Sequence, residues 1–439
     1  MSHRVSVIGT GYLGATHAAA MAELGHEVIG LDTDAEKVKR LADGDLPFYE
    51  PGLPELLQRG LASGRLTFTT DAAEAAHRAD VHFLCVGTPQ RAGSNAADLA
   101  YVDAAIDALA PHLTAPALVV GKSTVPVGTA QGLADRLRTL APAGGSVDLA
   151  WNPEFLREGY AVKDSLEPDR LVFGVGSVQA EQTLRAVYRK VIDRPTPVVI
   201  SDLPTAELVK VAANSFLATK ISFINAMAEL CEATGADVTV LAQALSHDQR
   251  IGGGFLRAGL GFGGGCLPKD IRAFMARAGE LGVDQALTFL REVDAINQRR
   301  RARTVDLARE EVGGSLDGHI VAILGAAFKP GSDDVRDSPA LDVAAAVHEQ
   351  GATVRVYDPQ AMDNARRRFP LLTYASSVDA ACADADLVLH LTEWPQFQEL
   401  DPVQLRTVVR QAKVVDGRNV LDVTAWRAAG WTYRALGRP

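Results

Sequence analysis

The chain has 439 residues, of which 47% are hydrophobic and 22% charged, so it is long enough for two or three domains with substantial cores. Its net charge of −10, without a basic tract, argues against nucleic acid as a partner. No apolar run has the roughly 20 residues of a membrane helix and the first residues do not look like a signal peptide, so we expect a cytoplasmic protein with no membrane partner.

The first predicted elements are a buried strand over 5–8, the turn residues Gly9, Gly11 and Gly14, and a helix over 15–24. A second strand over 27–31 ends at Asp32, 18 residues after Gly14. This order is typical of a dinucleotide-binding fold, in which the glycines let pyrophosphate approach a helix N-terminus and the acid binds a ribose. A Rossmann-like domain without a dinucleotide is the alternative.

Asp32 favours NAD over NADP, because a carboxylate at this position repels a 2′-phosphate. Lys37, five residues later, weakens that argument, since a nearby cation could accept the phosphate. We therefore expect NAD as the cofactor.

Strand and helix patterns then alternate, which predicts a parallel sheet with helices on both faces. The further strands are expected at 65–69, 81–86, 117–121, 147–151 and 170–174. Unusual loops follow three of them, at 87–89, 122–129 and 152–159. Each loop alone is compatible with ordinary turn chemistry, but all three follow strand C-terminal ends, where open α/β sheets bind ligands.

A long helix without internal glycine or proline is predicted from Pro204 to about Gly235. Lys210 and Asn214 are four residues apart and project from one face of this helix. Lys210 is either a surface residue with a solvated amine or a site residue. The helix is apolar on more than one side, so a subunit interface and a homodimer are expected.

Cys266 ends the glycine-rich run 261–265 and comes just before a predicted helix in which Pro268 suits the first position. The helix N-terminus favours the thiolate, and the glycines allow a substrate to approach the sulfur. A packing role for Cys266 remains the alternative. The other three cysteines, Cys85, Cys231 and Cys382, lie in strand or helix patterns and are expected to be inert. No disulfide framework and no metal site are predicted.

A second α/β pattern follows, with strands at 319–324, 353–357, 387–391 and 413–415 and no GxGxxG. It is expected to hold a different nucleotide, and Lys329, Arg336 and Arg418 in its loops are either phosphate ligands or solvated charges. The predicted fold is therefore two Rossmann-like, doubly wound parallel-sheet domains joined by a central helical domain with a long helix. Their expected boundaries are 1–203, 204–300 and 301–439.

Several ordered motifs resemble the UDP-glucose/GDP-mannose dehydrogenase family along almost the whole chain. They are Gly9-x-Gly11-x-x-Gly14, Lys122–Thr129, Asn152–Gly159, Glu207-Leu208-Val209-Lys210-x-x-x-Asn214, the Cys266 loop, and Phe328-Lys329 followed by Asp334–Pro339. The resemblance implies an enzyme that oxidises the C6 alcohol of a nucleotide sugar to a carboxylate with two NAD⁺ and no metal. Cys266 would hold the sugar as a thiohemiacetal and then as a thioester.

The resemblance also implies the site residues. The catalytic set is Cys266, Lys210, Asn214, Asp270, Thr124 and Glu154, with Glu154 as the candidate base for thioester chemistry. NAD would be bound by Gly9, Gly11, Tyr12, Leu13, Gly14, Asp32, Lys37, Thr88, Thr124, Glu158, Lys269 and Arg336. The sugar nucleotide would be bound by Phe155, Leu156, Arg157, Glu158, Lys210, Asn214, Arg250 of a neighbouring subunit, Phe255, Gly263, Phe328, Lys329 and Arg418. The base of the first oxidation is left open between Lys210 and a water held by Asp270.

The substrate is expected to be UDP-glucose, because the segment 250–256 matches that branch. Leu267 stands where bacterial UDP-glucose enzymes often have an aromatic residue, which leaves GDP-mannose, UDP-N-acetylmannosamine and a dTDP-sugar as alternatives. A two-electron hydroxyacid dehydrogenase and a non-catalytic NAD-binding scaffold are the other classes considered. The Cys266 loop argues against the first, and the full set of catalytic residue types argues against the second.

Overall fold

The computed structural model describes residues 2–439. The chain divides into two compact units, one made of the residues up to Ala213 with Arg272–Gly282 and the other of Asn214–Ile271 with Val283–Pro439. Each is an α/β unit. The predicted boundaries at 203 and 300 stay a prediction.

The first unit contains an eight-stranded sheet. Its strands are β1 (Arg4–Ile8), β2 (Glu27–Leu31), β3 (Leu66–Thr69), β4 (Val81–Leu84), β5 (Ala117–Gly121), β6 (Val147–Trp151), β7 (Leu171–Val175) and β8 (Val198–Ser201). The strand order is β3-β2-β1-β4-β5-β6-β7-β8. Consecutive residues such as Val119 and Val120 belong to different hydrophobic clusters, so both faces of the sheet are covered.

Helices connect these strands, and polar side chains start several of them. They are α1 (Tyr12–Glu23), α2 (Ala35–Ala42), α3 (Leu53–Ala62), α4 (Ala72–Arg78), α5 (Ala100–Leu109), α6 (Thr129–Leu140), α7 (Ala161–Leu166), α8 (Val178–Val187) and α9 (Arg189–Ile192). Asp34, Asp71 and Ser177 accept hydrogen bonds from the first amides of α2, α4 and α8. Such caps satisfy amides that have no partner within the helix.

One part of the sheet differs from the prediction. β6 and β7 pair antiparallel, with Ala150 opposite Val175, whereas every other pairing in this sheet is parallel. β7 is apolar on both faces, and such a sequence has the same pattern in either direction. The expectation of an all-parallel sheet was therefore wrong at this strand.

Four helices separate the two sheets along the chain. They are α10 (Leu203–Thr234), α11 (Val238–Ser246), α12 (Leu267–Glu280) and α13 (Thr288–Glu311). α10 is 32 residues long, as the absence of internal glycine and proline predicted. Among residues 2–439, no helix combines the length and apolar character that crossing a membrane requires.

The second unit contains a six-stranded parallel sheet of order β11-β10-β9-β12-β13-β14. Its elements are β9 (Ile320–Leu324), α14 (Pro339–Glu349), β10 (Thr353–Tyr357), α15 (Met362–Arg368), β11 (Thr373–Tyr374), α16 (Val378–Cys382), β12 (Leu387–His390), α17 (Pro395–Gln398), α18 (Pro402–Arg406), β13 (Lys413–Asp416), α19 (Val423–Ala428) and β14 (Thr432–Ala435). The first strand lies in the middle of both sheets, which is the doubly wound order. The predicted fold class is confirmed.

Buried carboxylates hold the loops at the C-terminal edge of this second sheet. Asp358, directly after β10, accepts hydrogen bonds from four backbone amides and from the Trp394 indole. Asp416, at the end of β13, accepts from His390, Tyr433 and four backbone amides. These contacts fix the loops that follow β9 and β13.

Candidate active site and cofactor site

The glycine loop of the first unit has the shape that a pyrophosphate requires. Gly9 has φ +86°, and a Cβ on Gly14 would lie 1.7 Å from the Gly9 carbonyl oxygen, so helix and turn pack too closely for a side chain. A Cβ on Gly11 would meet nothing within 4 Å, which leaves this face open. α1 has no side-chain cap, so the amides of Tyr12 and Leu13 at its first turn can face a phosphate.

Asp32 follows β2 beside this loop. Its carboxylate accepts hydrogen bonds from the Thr10 amide at 2.8 Å and from Lys37 Nζ at 3.0 Å. Burial opposes ionisation of Asp32, but the Lys37 contact and the amides of Asp34 and Thr10 outweigh it and hold the pKa below its ordinary value. Lys37 is therefore paired with the acid, and an ionised Asp32 at the end of β2 fits the ribose of NAD.

We expect Asp32→Ala to raise the Kd for NAD by about tenfold or more, because a charged hydrogen-bond acceptor for the ribose is lost. The same change leaves Lys37 without its carboxylate partner, so the preference for NAD over NADP should fall. Titration with NAD and with NADP measures both effects, and Glu36→Ala, an exposed acid on α2, is the control. An unchanged NAD affinity would contradict the assignment of Asp32.

The loop after β6 is tied to the cofactor turn by Glu50, which the sequence analysis missed. Glu50 is 1% exposed, and its carboxylate accepts hydrogen bonds from the amides of Gly159 and Ala161 at 2.6 and 2.7 Å. The Tyr12 hydroxyl donates to the same carboxylate. Burial and Glu50 raise the pKa of Tyr12, which therefore stays protonated. Glu50 thus fixes the backbone next to Glu158.

The loop after β5 is held in two places. The Thr88 hydroxyl donates to the Thr124 carbonyl oxygen at 2.7 Å, which brings two of the predicted NAD residues together. Farther along, the Glu207 carboxylate accepts from the amides of Gly128 and Ala130 at 2.7 and 2.6 Å. Glu207 therefore caps α6 from the first turns of α10, a role that the sequence motif containing Glu207 did not predict.

Glu207→Gln is expected to destabilise the protein by about 1–3 kcal/mol, because an amide NH₂ would face a backbone N–H. Burial raises the pKa of Glu207, and the hydrogen bonds from the Ala130 and Gly128 amides oppose this rise. Urea unfolding at neutral pH measures the loss. Glu55→Gln, an exposed acid on α3, should change stability by less than about 0.5 kcal/mol, and an equal loss in both variants would refute the cap.

Glu154 and Lys210 form a buried ion pair in the first unit. Lys210 Nζ lies 2.9 Å from the Glu154 carboxylate, and the two side chains are 6% and 12% exposed, respectively. The Leu156 amide donates to the same carboxylate at 2.5 Å. The centroid of the Phe155 ring lies 3.8 Å from the Arg170 guanidinium carbon and 5.6 Å from Lys210 Nζ. Lys210 is thus buried and paired with a carboxylate, not solvated, and its role as a site residue stays a prediction.

Asn214, Lys269 and Asp270 form a cluster in the second unit. Asn214 Nδ2 donates to one Asp270 oxygen at 2.6 Å, and Lys269 Nζ donates to the other at 2.6 Å. The Asp270 amide donates to the Cys266 carbonyl oxygen at 2.9 Å, so Asp270 stands one helical turn beyond the thiol. Cys266 is exposed next to the start of α12, whereas Cys85, Cys231 and Cys382 are buried. The burial of these three thiols agrees with their predicted place in strands and helices, and the catalytic role of Cys266 stays a prediction.

The glycines before Cys266 pack against loops of the second sheet. A Cβ on Gly264 would lie 2.8 Å from the Phe328 ring, and one on Gly265 would lie 2.3 Å from the Arg336 guanidinium carbon. The Gly264 amide donates to the Arg336 carbonyl oxygen at 2.9 Å. A Cβ on Gly263 would lie 2.2 Å from the Asp337 carbonyl oxygen. Close packing against the Asp337 backbone therefore requires glycine at 263, and the Phe328 ring together with φ +84° requires it at 264, whereas the Arg336 side chain could move away from a Cβ at 265.

The remaining predicted ligands have other surroundings. Arg418 is 11% exposed in its side chain and donates to the carbonyl oxygens of Leu391, Gly261 and Phe328. It is thus a buried organiser of these loops, and a role in substrate binding stays a prediction. Arg157 forms an ion pair with Asp164, and Arg250 forms one with Asp248. Phe255 is 42% exposed and has φ +63°. Lys329 Nζ lies 5.4 Å from the centroid of the Phe328 ring.

Three family sequence models match the chain. They describe the NAD binding domain, the central domain and the UDP binding domain of UDP-glucose/GDP-mannose dehydrogenases, over residues 3–192, 204–299 and 322–423. The chain belongs to the UDP-glucose/GDP-mannose dehydrogenase family. It is an NAD-dependent oxidoreductase.

This dehydrogenase is similar to curated and structurally characterised relatives over its whole length. UDP-glucose 6-dehydrogenase TuaD of Bacillus subtilis is 40% identical, over 99% of this chain and 93% of the relative. The structure of a UDP-glucose dehydrogenase from Pyrobaculum islandicum is 41% identical, covers 100% of this chain and 98% of that chain, and has a TM-score of 0.92. The UDP-D-ManNAc dehydrogenase of Pyrococcus horikoshii is 27% identical over 99% of both chains, with a TM-score of 0.86.

Proposed function

We propose that this dehydrogenase oxidises C6 of UDP-glucose to the carboxylate of UDP-glucuronate through a thioester on Cys266. The observation that carries the proposal is the exposed Cys266 thiol next to the start of α12, one turn before the Asp270 that binds Asn214 and Lys269. The greater identity to UDP-glucose dehydrogenases, at 40–41% against 27% for the UDP-D-ManNAc enzyme, supports UDP-glucose as the substrate.

When NAD⁺ is bound, it accepts the hydride in each of the two oxidations. In the first, the C6 alcohol loses its hydroxyl proton and a hydride, which gives an aldehyde. The Cys266 thiolate then forms a C–S bond to C6, and the aldehyde oxygen takes a proton. Loss of that proton and of a second hydride leaves a thioester. Water forms a C–O bond to C6, the C–S bond breaks and the thiolate is restored, so three protons are released per sugar.

Different polar side chains stabilise charge and transfer protons in these steps. Asn214 and Lys210 offer an amide N–H and a cation to negative charge that develops on the C6 oxygen, and one such donor is worth on the order of 3 kcal/mol in a transition state. Glu154 takes the proton of the attacking water, and Thr124 and Asp270 order that water. The base of the first oxidation is Lys210 or a water held by Asp270.

The residues proposed to bind the substrate are the backbone of 155–158, Phe328 and Lys329, with Phe255 beside the base or sugar.

We also propose the three-part division of the chain at 203 and 300. A homodimer is supported by α10, on which Phe216, Phe223 and Leu230 are exposed at seven-residue spacing. Exposed large apolar side chains in one row are typical of a surface that is covered in an assembly.

The test is the number of NADH molecules formed per sugar nucleotide consumed, with excess NAD⁺. UDP-glucose is compared with GDP-mannose, UDP-N-acetylmannosamine and dTDP-glucose. Two NADH from UDP-glucose alone are expected. Two NADH from another sugar would keep the chemistry and overturn the substrate, whereas one NADH or none from every sugar would overturn the thioester.

A further inference from the structure

A buried amine lies behind the loop that carries Glu154. Lys122 follows β5, is 6% exposed and lines a cavity of about 50 Å³ together with Asn152, Glu154 and Tyr188. All four belong to the first unit. The proposed chemistry gives Lys122 no role.

The contacts of this amine are unusual for a buried charge. Lys122 Nζ donates to Asn152 Oδ1 at 3.0 Å, to the Asn152 carbonyl oxygen at 3.4 Å and to the Tyr188 hydroxyl at 3.3 Å. All three acceptors are neutral, and among residues 2–439 no carboxylate forms an ion pair with it. The rings of Phe83 and Tyr188 lie 5.9 and 5.8 Å away and supply a cation–π contribution. A buried ammonium without a carboxylate costs stability that an apolar side chain of the same length would not.

Two of the three hydrogen bonds of Lys122 go to Asn152, a residue of the loop that carries Glu154. Asn152 directly follows β6 and stands two residues before Glu154, with the rigid Pro153 between them. The Asn152 side chain also accepts from Tyr188 at 2.7 Å and donates to the Val172 carbonyl oxygen at 3.0 Å. Lys122 therefore fixes the backbone at Asn152, and Lys210 fixes the side-chain carboxylate of Glu154.

We infer that Lys122 is a positioning residue, which holds the Asn152 peptide so that Glu154 accepts the proton of the water that hydrolyses the thioester. The inference rests on the proposed function. A buried charge retained at a cost next to a catalytic carboxylate is typical of a functional site.

The protonation of Lys122 supplies a second readout. Burial lowers the pKa of Lys122 to about 8, against smaller effects of neighbouring charges. The titratable groups that face it are His17 of α1, Cys85 after β4, Tyr188, Glu154 and Lys210. The amine is thus charged at neutral pH and loses its charge in the alkaline range, where the effect of its removal should shrink.

The experiment compares Lys122→Met with wild type and with Lys163→Met, a change at an exposed lysine of α7. We expect Lys122→Met to lower kcat at pH 7 by about tenfold to 100-fold, to change both KM values by less than about threefold, and to leave Tm unchanged or higher. Acylated Cys266 should accumulate during turnover and be visible by intact-protein mass spectrometry. The kcat deficit should become smaller above pH 8.

Three outcomes would overturn the inference: an unchanged kcat, a loss of kcat that follows a lower Tm, or a lower kcat without acyl-enzyme. If Lys122→Met does not fold, the role of Lys122 is structural and the inference is wrong on that result as well. Tyr188→Phe keeps the ring volume and removes one hydrogen bond to Asn152, and it should lower kcat by about twofold to fivefold with the same accumulation. Failure of wild type to form two NADH would refute the proposed function instead, and is measured separately.

Discussion

Cys266→Ser should lower the rate of UDP-glucuronate formation by at least about 10³-fold, because a serine hydroxyl stays protonated at neutral pH and cannot replace the thiolate. The binding of NAD should not change, since the glycine turn and Asp32 are intact. NADH formation over time, together with the mass of the protein during turnover, measures the effect. The wild type should show a covalent adduct on Cys266, and the variant should show none.

The three buried cysteines provide the control for this experiment. Burial raises the pKa of Cys85 and Cys382 to about 12, and it also raises the pKa of Cys231. One equivalent of iodoacetamide should therefore alkylate Cys266 first and abolish activity, while Cys231→Ala should keep most of it. Full activity after selective alkylation of Cys266 would exclude the thioester.

Asp416→Asn should destabilise the protein by about 3–5 kcal/mol, the range expected when one partner of a buried, hydrogen-bonded pair is removed. Asp416 is 0% exposed and accepts six hydrogen bonds, including one from His390 Nδ1 at 2.9 Å. An asparagine presents an NH₂ group to three of these donors. The variant should unfold at a lower urea concentration, whereas the exposed Asp379→Asn should shift it little.

Asp416 also makes the stability of the protein depend on pH in the acidic range. Burial acts to raise the pKa of Asp416, but His390 and the amides of Leu421 and Arg418 outweigh it and lower the pKa from 3.8 to about 2. The unfolded chain therefore binds a proton before the folded one does, and stability is lost as the pH falls from about 4 toward 2. The loss attributable to Asp416 is about 2 kcal/mol. The difference in stability between wild type and Asp416→Asn should shrink over that range, and a constant difference would contradict it.

The sequence predicted most of the inner strands and the outer strand β3, but it missed three short outer strands. β2, β5, β6 and β10 begin and end where the sequence predicted, because at least every second residue of each strand is apolar and buried. The short outer strands β8, β11 and β14 were not predicted, since they carry too few buried residues to form a pattern. The direction of β7 depends on its pairing partner and not on its own sequence.

The same distinction holds for the candidate site. Residues in short motifs, such as Cys266 with Asp270, were predicted because their spacing is local. The roles of Glu50 and Glu207 were missed because the amides that they bind lie 109 and 79 residues away along the chain. Lys122 stood inside a recognised motif, but its burial and its lack of a carboxylate partner are tertiary features.

Asp358 orders the loop after β9 before any ligand binds. Its carboxylate fixes the amides of Ala326 and Ala327, which directly precede Phe328 and Lys329. The conformational entropy of this loop is therefore lost when the domain folds and not when a ligand arrives. A nucleotide that uses Lys329 would meet a rigid surface, so its association should be limited by diffusion and charge rather than by a slow rearrangement of the loop.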